Sequence, residues 1–186
     1  HAGGTSTIHV NQRLGGGAWN DAGVYAFADS ALITIVSGGN GSTCADAVKL
    51  EPAVPPPFEK IIDNGTAGTS SSGTWPVSGG ANPYGGSSLY SKQSGATYSF
   101  AFTVPAPGSY EVFLWWTEYP SRLTSVPVDI VKDGAATETR LVNQQQGGGT
   151  WNSLGTFAAT GPLTVRIRSP GGGTTCADAA RIVQAP

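Results

Sequence analysis

Methionine occurs nowhere in the 186 residues, position 1 included. A chain that starts at His1 therefore reads as processed or excised, most simply from an exported precursor. Charge is scarce as well: Asp, Glu, Lys and Arg make up 12% of the residues, the formal net charge is −2, and no basic run exists. This removes the electrostatic attraction on which nucleic-acid binding depends. No apolar stretch approaches the ~20 residues of a membrane-crossing helix, so membrane insertion is not expected. His1 and His9 are the only histidines. A copper brace of these two would lack support from the repeat described below, which carries Leu141 at the place of His9. The carboxylates are few and scattered. No catalytic triad, metal cluster or phosphate loop can be composed from these residues, so we expect no enzyme, no metal and no cofactor. The Gly15-Gly16-Gly17 run, with no helical pattern after it, is a turn and not a phosphate cradle.

What is abundant points the other way. There are 27 glycines and 13 prolines, which break helices and populate turns. Thr, Val, Ile and aromatic residues fit a pleated surface. Tyr98 to Val104 alternates at period two, and Pro105-Ala106-Pro107-Gly108 then turns the chain. Tyr110 to Trp116 is nearly all apolar and suits the centre of a sheet. Val126 to Val131 and Thr137 to Val142 flank Asp133-Gly134, a hairpin signal. Leu163 to Arg168 alternates apolar with polar, one face dry and one wet. The expectation is an all-β protein, a β-sandwich or jelly-roll-like domain.

The chain also repeats itself. At a constant offset of 132, Val10-Asn11-Gln12 matches Val142-Asn143-Gln144, and Trp19-Asn20 matches Trp151-Asn152. Thr43-Cys44-Ala45-Asp46-Ala47 matches Thr175-Cys176-Ala177-Asp178-Ala179. About 40% of positions 1–54 are identical to 133–186 without a gap, the mark of a repeat architecture. Residues 1–54 are thus a partial repeat, the back portion only, and 55–186 a complete one. The Pro55-Pro56-Pro57 run is a stiff boundary between them.

Ile61-Ile62-Asp63-Asn64-Gly65, Gly73-Thr74-Trp75, Gly108-Ser109-Tyr110-Glu111-Val112 and Trp115-Trp116 are followed by Asn143-Gln144, Gly149 to Gly155 and Ala177-Asp178-Ala179. In this order the motifs resemble the golvesin-type domain, also described as the xanthan-lyase carbohydrate-binding-like domain. The resemblance covers nearly all of 59–184, while 1–52 matches the back portion of that domain. It implies a β-sandwich carried by secreted and surface proteins as an accessory module in contact with glycans. It implies no catalytic residues.

Two cysteines, Cys44 and Cys176, occupy equivalent repeat positions. An even pair in a secreted chain is expected to bond, either within the chain or between chains. Trp75, Tyr84, Trp115, Tyr119 and Arg122 are the candidates for stacking on or bonding to sugars, although most rings in Val112 to Trp116 belong to a core. Trp19 and Trp151 read as structural.

The two copies disagree at one set of positions. Glu138, Arg140, Arg166 and Arg168 are answered by Ser6, Ile8, Thr34 and Val36, and Thr164 by Leu32. Ile8, Leu32, Thr34 and Val36 thus form a face stripped of charge, and exposed aliphatic faces mark contact surfaces. Each aliphatic side chain buried there contributes about 1.5–3 kcal/mol. The expectation is an extracellular or cell-surface structural protein that associates with other copies of itself through residues 1–54, forming a filament or surface layer. The alternative is a carbohydrate-binding module from a larger secreted enzyme or adhesin, with polysaccharide as partner.

Overall fold

The computed structural model describes residues 1, 3–39, 41–53, 56–132 and 136–186. The Asp133-Gly134 turn and the first proline of the 55–57 run lie outside these residues. Chain contacts separate two compact units, 1–55 and 56–186.

The larger unit is built of twelve strands: β1 (Glu59–Asp63), β2 (Thr69–Ser72), β3 (Val77–Ser78), β4 (Ser88–Ser91), β5 (Thr97–Thr103), β6 (Gly108–Trp115), β7 (Val126–Lys132), β8 (Ala136–Val142), β9 (Asn152–Ala159), β10 (Pro162–Arg168), β11 (Thr175–Ala177) and β12 (Ala179–Gln184). One sheet runs β1-β12-β6-β9, a second β2-β5-β10-β7-β8, and a small third β11-β4-β3. All of the strand ladders are antiparallel. Period-two alternation sets the inner faces. Tyr98, Phe100 and Phe102 of β5, Val126, Val128 and Ile130 of β7, and Leu163, Val165 and Ile167 of β10 are buried. They form one core with Tyr110, Val112 and Leu114 of β6 and Ile182 of β12. The two large sheets therefore close as a sandwich whose interior is apolar, the arrangement that hides both sheet faces from water.

β6 lies between β12 and β9, a central place that suits its nearly unbroken apolar run. Its ladder with β9 carries a bulge: Val112 pairs with Gly155 and Phe113 with Ser153, leaving Leu154 extra. Gly155 adopts φ of 111°, which a side chain tolerates poorly. The bulge resets the alternation of β9, so Leu154 and Phe157 both face the core. At the β11 edge of the third sheet, Gln144 acts as a substitute strand. Its fully buried amide donates to Cys176 O at 3.0 Å and accepts from Cys176 N at 2.7 Å.

In residues 1–53 no strand or helix occurs among the described residues. The backbone nevertheless reproduces the second half of the sandwich. Gly15, Gly17, Gly23 and Gly39 have φ of 69°, 77°, 103° and 78°, against 72°, 71°, 111° and 80° at Gly147, Gly149, Gly155 and Gly171. Gln12 exchanges the same two bonds with Cys44, at 2.7 and 2.8 Å. Asn20 Nδ2 donates to Gly15 O and Ala18 O, as Asn152 Nδ2 does to Gly147 O and Thr150 O.

No bond joins Cys44 to Cys176 within the chain, and both are free thiols. Cys176 has no solvent exposure, and Thr117 Oγ1 lies 3.4 Å from its sulfur. A second thiol could reach it only by opening the core.

Candidate functional site

Strand alternation that buries Tyr110, Val112 and Leu114 turns Glu111, Phe113 and Trp115 to the outer face of the β1-β12-β6-β9 sheet. On β12 the same rule turns Arg181 outward, directly opposite Phe113 in the ladder. Two further rings join from loops. Tyr84 comes from a 3-10 turn (Tyr84–Gly86), and Trp151 from the segment leading into β9. Tyr84 and Trp115 meet with centroids 5.6 Å apart, Tyr84 and Trp151 at 5.1 Å, and Trp115 and Trp151 at 5.3 Å. All three are half-buried, so each gives part of its surface to solvent. The guanidinium of Arg181 lies 4.2 Å from the Phe113 ring centre and 5.1 Å from that of Trp151. Its Nη1 donates to Glu59 Oε1 at 3.4 Å. Beside it, Ser153 Oγ donates to Glu111 Oε1 at 2.6 Å.

The cluster is held from below. Trp115 Nε1 donates to Asn82 O at 3.0 Å, and Asn82 takes the left-handed φ of 55°. A Cβ on Gly149 would lie 2.9 Å from that of Asn82, so glycine is needed for the two loops to touch. Asp178 is buried and accepts the Tyr84 N–H at 3.3 Å. Burial raises its pKa to about 7, with the Asp63 carboxylate adding to the rise and the Tyr84 N–H opposing it. Gly85 passes so close to Asp63 that any Cβ would overlap the carboxylate. The residues thus form an aromatic platform with a fixed cation and carboxylates at its rim. Such a surface can stack on the C–H face of a sugar and bond its hydroxyls.

Of the residues marked from sequence, Tyr84 and Trp115 come together here. Trp75 does not: it packs edge-on against Tyr98 at 5.5 Å and donates Nε1 to Ser72 O at 3.0 Å. Tyr119 is 54% exposed on the loop after β6. Arg122 is buried, and its guanidinium donates to Thr117 O, Thr117 Oγ1, Thr174 Oγ1 and Ser78 Oγ. It ties three loops together and does not face solvent. An open cleft near that end is lined by Lys92, Ser121, Gly172, Gly173 and Thr174. The sequence reads Trp151 as structural and gives Arg181 no role. The repeat held the signal, because Lys49 stands 5.9 Å over Trp19 as Arg181 stands over Trp151. Ile8, Leu32 and Val36 are exposed, Leu32 at 91% and Val36 at 82%. Among the described residues no helix is long and apolar enough to cross a membrane.

The chain has clear relatives. Over 145 residues, 72% of this chain, it is 35% identical to xanthan lyase of Bacillus sp. (strain GL1). That stretch spans 16% of the lyase, so the chain corresponds to about a sixth of its relative. Among solved structures, a Paenibacillus xanthan lyase superposes with TM-score 0.64 and 33% identity, covering 69% of this chain and 13% of the other. A family 35 carbohydrate-binding module from Cellvibrio japonicus Abf62 superposes with TM-score 0.52 at 13% identity, covering 69% and 95%, a likeness of fold. Residues 60–184 match the Golvesin C-terminal domain, and the chain belongs to that family.

Proposed function

We propose that residues 56–186 are a non-catalytic carbohydrate-binding module of an extracellular protein, and that the ligand is a polysaccharide held on Tyr84, Trp115 and Trp151. The observation that carries this reading is the three-ring cluster with Arg181 on the outer face of the sheet. Aromatic faces give a sugar apolar contact without demanding a particular sequence of hydroxyls, while Arg181, Glu111 and Ser153 supply directional bonds at the rim. Kinship with xanthan lyases and the fold shared with a family 35 module support the substrate class. An anionic polysaccharide such as xanthan is the first ligand to try, because Arg181 supplies a cation at the platform.

The test is affinity electrophoresis of the full chain in gels containing xanthan, with neutral glucans and mannans alongside. Trp115→Ala and Trp151→Ala are expected to abolish retardation, since stacking is worth about 1–3 kcal/mol per ring in comparable aromatic platforms. Tyr119→Ala is expected to leave it unchanged. Failure of every glycan to retard the wild-type chain would overturn the reading.

A second reading, self-association into a filament or surface layer, draws on the exposed Leu32 and Val36 together with Ile8 and Thr34. Sedimentation of the full chain across a hundredfold concentration range tests it; a constant monomer mass removes it.

A further inference from the structure

In the complete sandwich, among the described residues, no strand of the back half pairs with another strand of the back half. β8 pairs with β7, β9 with β6, β10 with β5 and β7, β11 with β4, and β12 with β1 and β6. Every ladder partner lies within 59–132. Residues 1–53 hold the glycine turns, the Gln12–Cys44 lock and the Asn20 loop of such a back half. They hold them with the core side chains bare. Ile33 and Ile35 are each 49% exposed, where Val165 and Ile167 have no exposure, and Cys44 is exposed where Cys176 is buried. The segment has the shape of a half-sandwich and an unfilled interface.

What would fill it can be read from the charges. Asp129 of β7 is 3% exposed and lies directly opposite Arg166 of β10. Arg166 and Arg168 together donate four hydrogen bonds to its carboxylate, and Thr139 donates a fifth. In the half-sandwich the threonine is kept as Thr7, but Thr34 and Val36 replace both arginines. Set against a β7 carrying Asp129, they would remove both cations that cover and bond this outer-face carboxylate, leaving it the threonine as its one side-chain donor, which is unfavourable. Lys132, which pairs with Glu138, would likewise face Ser6. The lost charges on 1–54 are therefore matched to a different front half. Stoichiometry agrees. Within residues 1–186 the one front half, 59–132, is already laddered to the strands of 133–186.

We propose that residues 1–54 are the back half of a second sandwich, completed by a golvesin-type front half that lies outside residues 1–186 and carries a neutral residue in place of Asp129. The contact is strand addition along the whole half-domain. The aliphatic face of Leu32, Thr34 and Val36 becomes the outer sheet surface beside that neutral residue, not a filament contact.

The test fuses a second copy of 56–132 ahead of residue 1 of the full chain, joining 132 to 1 so that the repeat spacing is kept. One fusion keeps Asp129 in the added copy and another carries Asp129→Val there. A third keeps Asp129 and adds Thr34→Arg and Val36→Arg. The readout is the rate at which Cys44 reacts with a thiol reagent, since its counterpart is sealed when complemented. The Asp129→Val fusion is expected to slow Cys44 by about 100-fold or more relative to the unfused chain, following the opening equilibrium. The fusion with Asp129 alone is expected to protect at least tenfold less, and the double-arginine fusion to regain full protection. Three results would overturn the proposal: equal Cys44 reactivity in all fusions and the unfused chain, equal protection by the Asp129 and Val fronts, or protection in the unfused chain accompanied by a dimer mass.

Discussion

Asp178, sealed from solvent, accepts the Tyr84 N–H through Oδ2 while its Oδ1 meets no donor among the described residues. A carboxyl in this position keeps its proton to about pH 7, because ionising it would bury a half-satisfied charge near Asp63. In the unfolded chain the same group ionises near pH 4. Between those values the folded protein binds the extra proton, so stability falls as pH rises and levels off above about 7. Thermal unfolding of the full chain is expected to give a melting temperature several degrees higher at pH 5.5 than at pH 8. Asp178→Asn keeps the acceptor for Tyr84 and removes the titration, so the difference between the two pH values should collapse. An unchanged difference in that variant would reject the assignment.

Asp129 has the opposite behaviour. Burial pushes its carboxyl up, but hydrogen bonds from Arg168, Thr139 and Arg166 outweigh that and hold it below the ordinary value. Its contribution is present above about pH 4 and lost in acid. Replacing Arg166 and Arg168 by Met is expected to cost about 1–2 kcal/mol, since the carboxylate loses two half-exposed cations and keeps Thr139 as its donor. Adding Asp129→Val to that pair should restore most of the loss. Urea denaturation of the variants measures the coupling; simple additivity would contradict it.

Thiol chemistry offers a direct check on burial. Cys176 is sealed, and burial raises its pKa, so the thiolate that reacts is rare. Under native conditions one thiol per chain is expected to label, and Cys44→Ser should abolish labelling until denaturant is added. Rapid modification of two thiols in the folded protein would refute the packing.

Arg181 bridges Glu59, Phe113 and Trp151. Arg181→Met is expected to lower stability by about 1–2 kcal/mol through loss of the cation over two rings. Arg181→Lys, which imitates Lys49 over Trp19, should recover about half. Chemical denaturation midpoints decide; identical losses in both would show that the charge is immaterial.

The sandwich was legible where local alternation carries it: Tyr98 to Val104, Val126 to Val131 and Leu163 to Arg168 all became strands facing the way their pattern indicates. The repeat was legible down to individual bonds, since the identity of Gln12 and Gln144 reflects the same lock on Cys44 and Cys176. The bulge at Leu154 was not, because an extra residue leaves no mark in a pattern of single glycines. The stripped face was seen but its cause was not. Arg166 and Arg168 looked like solvent charges, and their partner Asp129 lies 37 residues away across a ladder. The platform is half visible: the sequence points to Tyr84 and Trp115, while Trp151 reads as structural because a ring that follows a glycine run gives no hint of which loop it will meet.

The pairing order has a consequence for biosynthesis. β1, the first strand of the sandwich, finds its sheet neighbour among the described residues in β12, the last strand of the sandwich. The β1-β12-β6-β9 sheet therefore cannot close until residues 59–184 have all been made. Until then Tyr110, Val112 and Leu114 wait uncovered on a strand that already has the composition to aggregate, and such long-range closure is slow. A cell that makes this domain must shield the nascent chain during that interval, by holding chaperones or by export before folding.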